Sequence, residues 1–246
     1  MPATPALTVV DEQGLDGGVV ERDVMIGDVP GALWVPPSTP APLVLMAHNN
    51  GLPRTDARLV ARARWTATTH GYVVATVDAT GCGDRPRPPA VDRARADLRR
   101  AAQAGEPLGP VLEPMVTALV AGAVPDWRTA LAVLVELPEV TGPVGYSGWA
   151  ALGIALAAAE PRIEAVALFA GGHVPRPQRE QVRDLTVPLL LLLQWDDEGN
   201  PRADALDLFD AWGGAEKTLH ANAGGHLGTP VFELEDSGRF LDRHLR

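Results

Sequence analysis

Pro42-Leu43-Val44-Leu45-Met46-Ala47 is an unbroken apolar run with no polar residue in alternation. A strand with one face in water shows a period of two. A run this short and this uniform fits a strand buried on both faces. Outward from it, the same signature recurs at residues 72–77, 163–169 and 187–194. Helical spacing separates these runs, at residues 57–69, 127–137, 203–212 and 231–245. Residues 143–146 read as a short strand ending in a Gly-Tyr-Ser turn, with an Ala-rich helix over 148–159. Residues 217–221 read as the last strand. Buried strands alternating with helices define an α/β fold, doubly wound about a mostly parallel sheet. An N-terminal antiparallel hairpin precedes it, pairing 19–26 with 32–35 around a turn at 27–31. Residues 84–124 break the alternation. Mixed charge over 92–100 is followed by apolar sequence over 111–124, which predicts a small helical cap inserted over the mouth of a site. No repeat or Gly/Ser linker divides the chain, so residues 1–246 read as one domain.

The bulk properties bound the function. The chain has 246 residues, 46% hydrophobic, enough for a full core. A net charge of −10 argues against a nucleic-acid partner, which would require a basic face. The single cysteine, Cys82, excludes an internal disulfide and a zinc knuckle. Gly81-Cys82-Gly83 lacks the third glycine of a dinucleotide loop. The N-terminus has no basic segment leading into an apolar one, as a secretory signal would. The longest apolar run, 148–159, is too short to cross a bilayer. The expectation is a cytoplasmic monomer or homodimer acting on a small molecule, with no metal, cofactor, membrane or nucleic-acid partner. The Arg-, Ala-, Gly- and Pro-rich composition suggests a bacterial source of high GC content.

In a parallel α/β sheet the chemistry sits just beyond the carboxyl ends of the strands. Those positions hold His48-Asn49-Asn50-Gly51, Ser147-Gly148-Trp149, Gly171-Gly172-His173, Trp195-Asp196-Asp197 and Gly224-Gly225-His226. A serine hydroxyl, a base to take its proton and an acid to orient that base are what acyl transfer needs. Backbone N–H groups must also hold the oxyanion.

These motifs resemble the α/β-hydrolase superfamily, in particular small bacterial dienelactone hydrolases and esterases. The resemblance runs from about Pro42 to Leu245 and is strongest in the last third. Gln194-Trp-Asp-Asp-Glu-Gly-Asn-Pro-Arg202 resembles the acid turn, with Asp four residues before Pro; Thr218-Leu-His-Ala-Asn-Ala-Gly-Gly-His226 resembles the base loop. The resemblance implies Asp197 as acid and His226 as base, in the superfamily's chain order of Ser, Asp, His. His220 lies within the strand and reads as structural.

The nucleophile motif departs from the family's Gly-x-Ser-x-Gly. Gly145-Tyr146-Ser147-Gly148-Trp149 keeps the first glycine but has Trp in place of the second. A second frame, Gly148-Trp149-Ala150-Ala151-Leu152, puts Ala150 at the nucleophile position. The first frame favours Ser147. The second implies a nucleophile replaced by alanine, or lost while the fold serves other work. The N–H groups of Asn49 and Gly148 are the expected oxyanion donors. His48, Asn50, Trp149, Ala150, Trp195 and His173 are the expected pocket residues. The expected activity is hydrolysis of an ester or related acyl bond through Ser147, Asp197 and His226. A non-hydrolytic elimination or cyclisation on the same fold is the alternative, and a non-catalytic binding protein a third reading.

Overall fold

The computed structural model describes residues 5–48, 52–83, 85–169, 171–197, 199–226 and 228–246. Among these residues, nine strands form a single sheet: β1 (Leu7–Gly14), β2 (Val20–Ile26), β3 (Val29–Val35), β4 (Ala41–Met46), β5 (Val73–Val77), β6 (Val140–Trp149), β7 (Ile163–Phe169), β8 (Leu189–Gln194) and β9 (Lys217–Asn222). Their spatial order is β1-β2-β3-β5-β4-β6-β7-β8-β9. The first three strands and β5 pair antiparallel; from β5 to β9 every pairing is parallel. The α/β fold with a mostly parallel sheet and an N-terminal hairpin is therefore present. β1 adds an edge strand whose side chains lie mostly in solvent, so it carries none of the hydrophobic pattern that marks a strand in sequence.

Among the described residues, seven α-helices cover the sheet: α1 (Ala57–His70), α2 (Pro89–Ala104), α3 (Gly109–Leu134), α4 (Ala150–Ala159), α5 (Arg176–Gln181), α6 (Arg202–Ala211) and α7 (Phe232–Leu245). The pleat of β4 sorts the layers. Leu43 and Leu45 belong to the core shared with α3, α4 and α6. Val44 and Met46 join Leu59, Ala63 and Ala67 of α1 and Phe240, Leu241 and Leu245 of α7. No described helix is long and apolar enough to cross a membrane.

The segment read as a cap consists of α2 and the N-terminal part of α3. α3 continues without a break into the predicted 127–137 helix. It buries Met115, Val116, Leu119 and Val120 as well as Trp127 and Leu131 in one core.

The expected turn at Ser147 is corrected by the register. β6 continues in parallel pairing through Ser147, opposite Met46 and Ala167, to Trp149 opposite Phe169. The helix begins at Ala150 rather than Gly148. Pairing with β4 runs as far as Ser147 and pairing with β7 as far as Trp149, so the ladder overrides the local Gly-Tyr-Ser turn signal.

Candidate active site

The loop carrying Asp197 leaves β8 at Gln194 and is stitched to the loop after β9. Trp195 N–H donates to the Asn222 carbonyl at 2.7 Å and Asp196 N–H to the Gly224 carbonyl at 3.0 Å. The zipper brings Asp197 beside His226, with Nδ1 2.9 Å from Asp197 Oδ2. The Asp197 side chain is 3% exposed and the His226 ring 34%. Asp197 Oδ1 accepts from the N–H groups of Gly199 (2.8 Å) and Asn200 (3.1 Å), while Asn200 Nδ2 donates to Oδ2 at 3.2 Å. A carboxylate only accepts, so Nδ1 carries a proton, and in the neutral ring the lone pair is on Nε2.

Burial alone would push the Asp197 carboxyl up, but hydrogen bonds from His226, Asn200 and Gly199 outweigh it and hold it below its ordinary 3.8. A depressed carboxylate stabilises the fold fully above that value and loses its contribution as pH falls below it. Urea midpoints of wild type and Asp197→Asn are therefore expected to differ most near neutrality and to converge as pH drops below 3.8. A difference that stays constant through that range would show that the carboxylate's charge is not what these hydrogen bonds stabilise.

A cavity of about 550 Å³ opens at this edge of the sheet. His226, Gly148, Trp149, Gly171, Gln194 and His48 line it, together with residues of α1 and of the segment leading into α7. His226 approaches the loop after β7 closely, since a Cβ on Gly171 would stand 3.4 Å from its Cε1. His48 is bound through Nε2 to Asp56 at 2.9 Å. Burial, against the pull of Asp56, holds this imidazole below its ordinary value, which favours the neutral ring. Asp56 in turn caps α1, accepting from the N–H of Arg58.

The remaining predicted residues fall elsewhere. Ser147 is 4% exposed within β6 and is not among the cavity-lining residues; its carbonyl accepts the Ala47 N–H at 3.0 Å. Ala150, the first residue of α4, is fully buried in the core. Trp195 points outward, 41% exposed, with the Arg202 guanidinium 4.8 Å from its ring. His173 is drawn away to Glu113 of α3, at 2.6 Å. None of these four is among the residues that line the cavity. Asn49 and Asn50 lie outside the described residues.

Sequence reasoning missed the wall contributed by α1, notably Arg58 and Arg62, because arginine on an amphipathic helix reads as a solvated face. It also missed Gln194, whose buried carboxamide lies under Gly224 and Gly228 of the base loop without a hydrogen-bond partner. His220, Glu233 and Asp236 hold their ligand-type atoms within 4.8 Å of one another. Glu233 accepts there from Asn222 and pairs with His220, which ties α7 to β9 as a strut.

No family model and no curated protein matches the chain. Solved structures do. A cold-adapted esterase from an Arctic intertidal metagenomic library, in a PEG-bound complex, superposes with a TM-score of 0.73 at 25% identity, covering 96% of this chain and 98% of that one. An acetyl xylan esterase from Paenibacillus sp. R4 gives 0.71 at 16% identity, covering 100% and 90%. Acetyl xylan esterase 1 from Thermoanaerobacterium sp. JW/SL YS485 gives 0.69 at 13%, covering 98% and 88%. Sheet order, strand-end site and superposition together define an α/β-hydrolase fold. These three solved structures, to which the chain is similar in fold, are esterases.

Proposed function

We propose that this chain cleaves an ester or related acyl bond of a small molecule, with His226 moving the proton and Asp197 orienting it. The observation that carries this is the 2.9 Å His226–Asp197 contact, its acid shielded and its imidazole at the edge of a roomy cavity. In the triad form of the reaction, the Ser147 hydroxyl attacks the carbonyl and gives its proton to His226 Nε2. His226 returns that proton to the departing alcohol, and water then releases the acyl group from the serine. The N–H groups of Gly148 and Asn49 would hold the oxyanion. The resemblance to esterases supports this form, and a bacterial, cytoplasmic setting fits the composition.

A second reading is favoured by the register of β6. Ser147 lies inside the strand, and the helix starts on Ala150, which has no hydroxyl. There, His226 activates water, or takes a proton from the substrate in an elimination or cyclisation, and no acyl-enzyme forms.

A fluorophosphonate probe followed by peptide mass spectrometry separates the two. An adduct on Ser147 that disappears in Ser147→Ala supports the triad. Absence of an adduct, with turnover of p-nitrophenyl acetate that still depends on His226, supports the second reading. A new adduct in Ala150→Ser would mark position 150 as the lost nucleophile. Neither adduct nor turnover above background would overturn the proposal.

A further inference from the structure

Among the described residues that line the cavity, arginine contributes the formal charges and no acid does, although the protein is acidic overall. The chain carries 31 acidic and 21 basic residues, yet no described residue lining the cavity is an aspartate or glutamate, while Arg58 and Arg62 both are lining residues. The two arginines stand four apart on α1, so they share one face of the helix. Arg62 is held without being neutralised. One Nη2 hydrogen bond goes to the Ala47 carbonyl at 3.1 Å, and its guanidinium carbon lies 4.8 Å from the centre of the Phe169 ring. Its Nε is buried with no hydrogen-bond partner. Among the described residues no carboxylate pairs with either arginine side chain. Asp56, the nearest acid along the helix, is occupied by the α1 cap and His48.

A half-buried guanidinium without a counter-charge is costly, and burial pulls Arg62 down to about 10, where it is still protonated at neutral pH. An anion offering two oxygens would satisfy it through paired N–H···O bonds. We propose that Arg62, assisted by Arg58, forms an anion-binding subsite, so that the compound handled beside His226 carries a carboxylate or phosphate group. The proposal names a substrate class for the acyl-cleavage reading and rests on it only for placing substrate in this cavity.

Trp65 and Trp149 line the same cavity and report binding by fluorescence. Phenylacetate, phenyl phosphate and neutral benzyl alcohol would be titrated into the full chain, wild type and Arg62→Gln, Arg62→Lys and Arg58→Gln, with thermal melts to confirm folding. At least one of the two anions is expected to bind about tenfold or more tightly than benzyl alcohol, the preference of a charge-assisted contact. Whichever binds more tightly identifies the anion. Arg62→Gln should abolish most of that preference, Arg62→Lys keep part of it, and Arg58→Gln lower it less. Benzyl alcohol binding as tightly as both anions to wild type would overturn the subsite, as would a folded Arg62→Gln that keeps the full preference. The assay needs no turnover. Anion binding without esterase activity would sink only the acyl-cleavage reading, and esterase activity without anion preference only this one.

Discussion

Asp197→Asn is expected to lower kcat for p-nitrophenyl acetate by about 10³- to 10⁴-fold while leaving the fold intact. The substitution keeps the shape of the side chain. An amide oxygen at the Oδ1 position still accepts from Gly199 and Asn200. What changes is the group facing His226. The carboxylate oxygen at 2.9 Å demands a proton on Nδ1; an amide NH₂ there demands a lone pair instead. The imidazole then carries its proton on Nε2 and cannot act as a base. Steady-state kinetics with circular dichroism as a fold control measure the effect. A variant within tenfold of wild type would mean that the pair holds the two loops together and does no proton transfer.

Gly148→Ala is expected to cost about 3 kcal/mol, lowering Tm by roughly 6–12 °C for a chain of this size. Gly148 has φ of +151°, and a Cβ there would stand 2.3 Å from the Ala47 carbonyl oxygen. The same oxygen accepts the Arg62 hydrogen bond, so it is held from the other side. Relief requires β4 and β6 to part where they carry the cavity. Gly142→Ala is the matched control. Its φ is +73°, but nothing lies within 4 Å of the added carbon. Only backbone strain applies there, about 1 kcal/mol. Equal losses at the two positions would show that strand contact is not the cause.

The sheet was legible because burial on both faces leaves runs such as 42–47 and 187–194 that few other structures would tolerate. The hairpin was legible from its turn chemistry between β2 and β3. β1 was not, since an exposed edge strand has no apolar face to betray it. The meeting of Asp197 and His226 was legible because both follow strand ends and their motifs occur in order. The end of β6 was not. A buried strand has no period from which to count its length, so Gly145-Tyr-Ser147 resembles a turn although the ladder runs on to Trp149. Arg62 was hidden for a different reason. Its meaning lies in having no carboxylate partner among the described residues, which depends on what folds around it rather than on its neighbours in sequence.

Chemical rescue shows whether His226, oriented by Asp197, carries the proton in acyl cleavage. Turnover of p-nitrophenyl acetate by His226→Ala would be measured against added imidazole. Loss of nearly all activity, restored as imidazole rises, is the predicted result. A His226→Ala enzyme as fast as wild type without imidazole would contradict it.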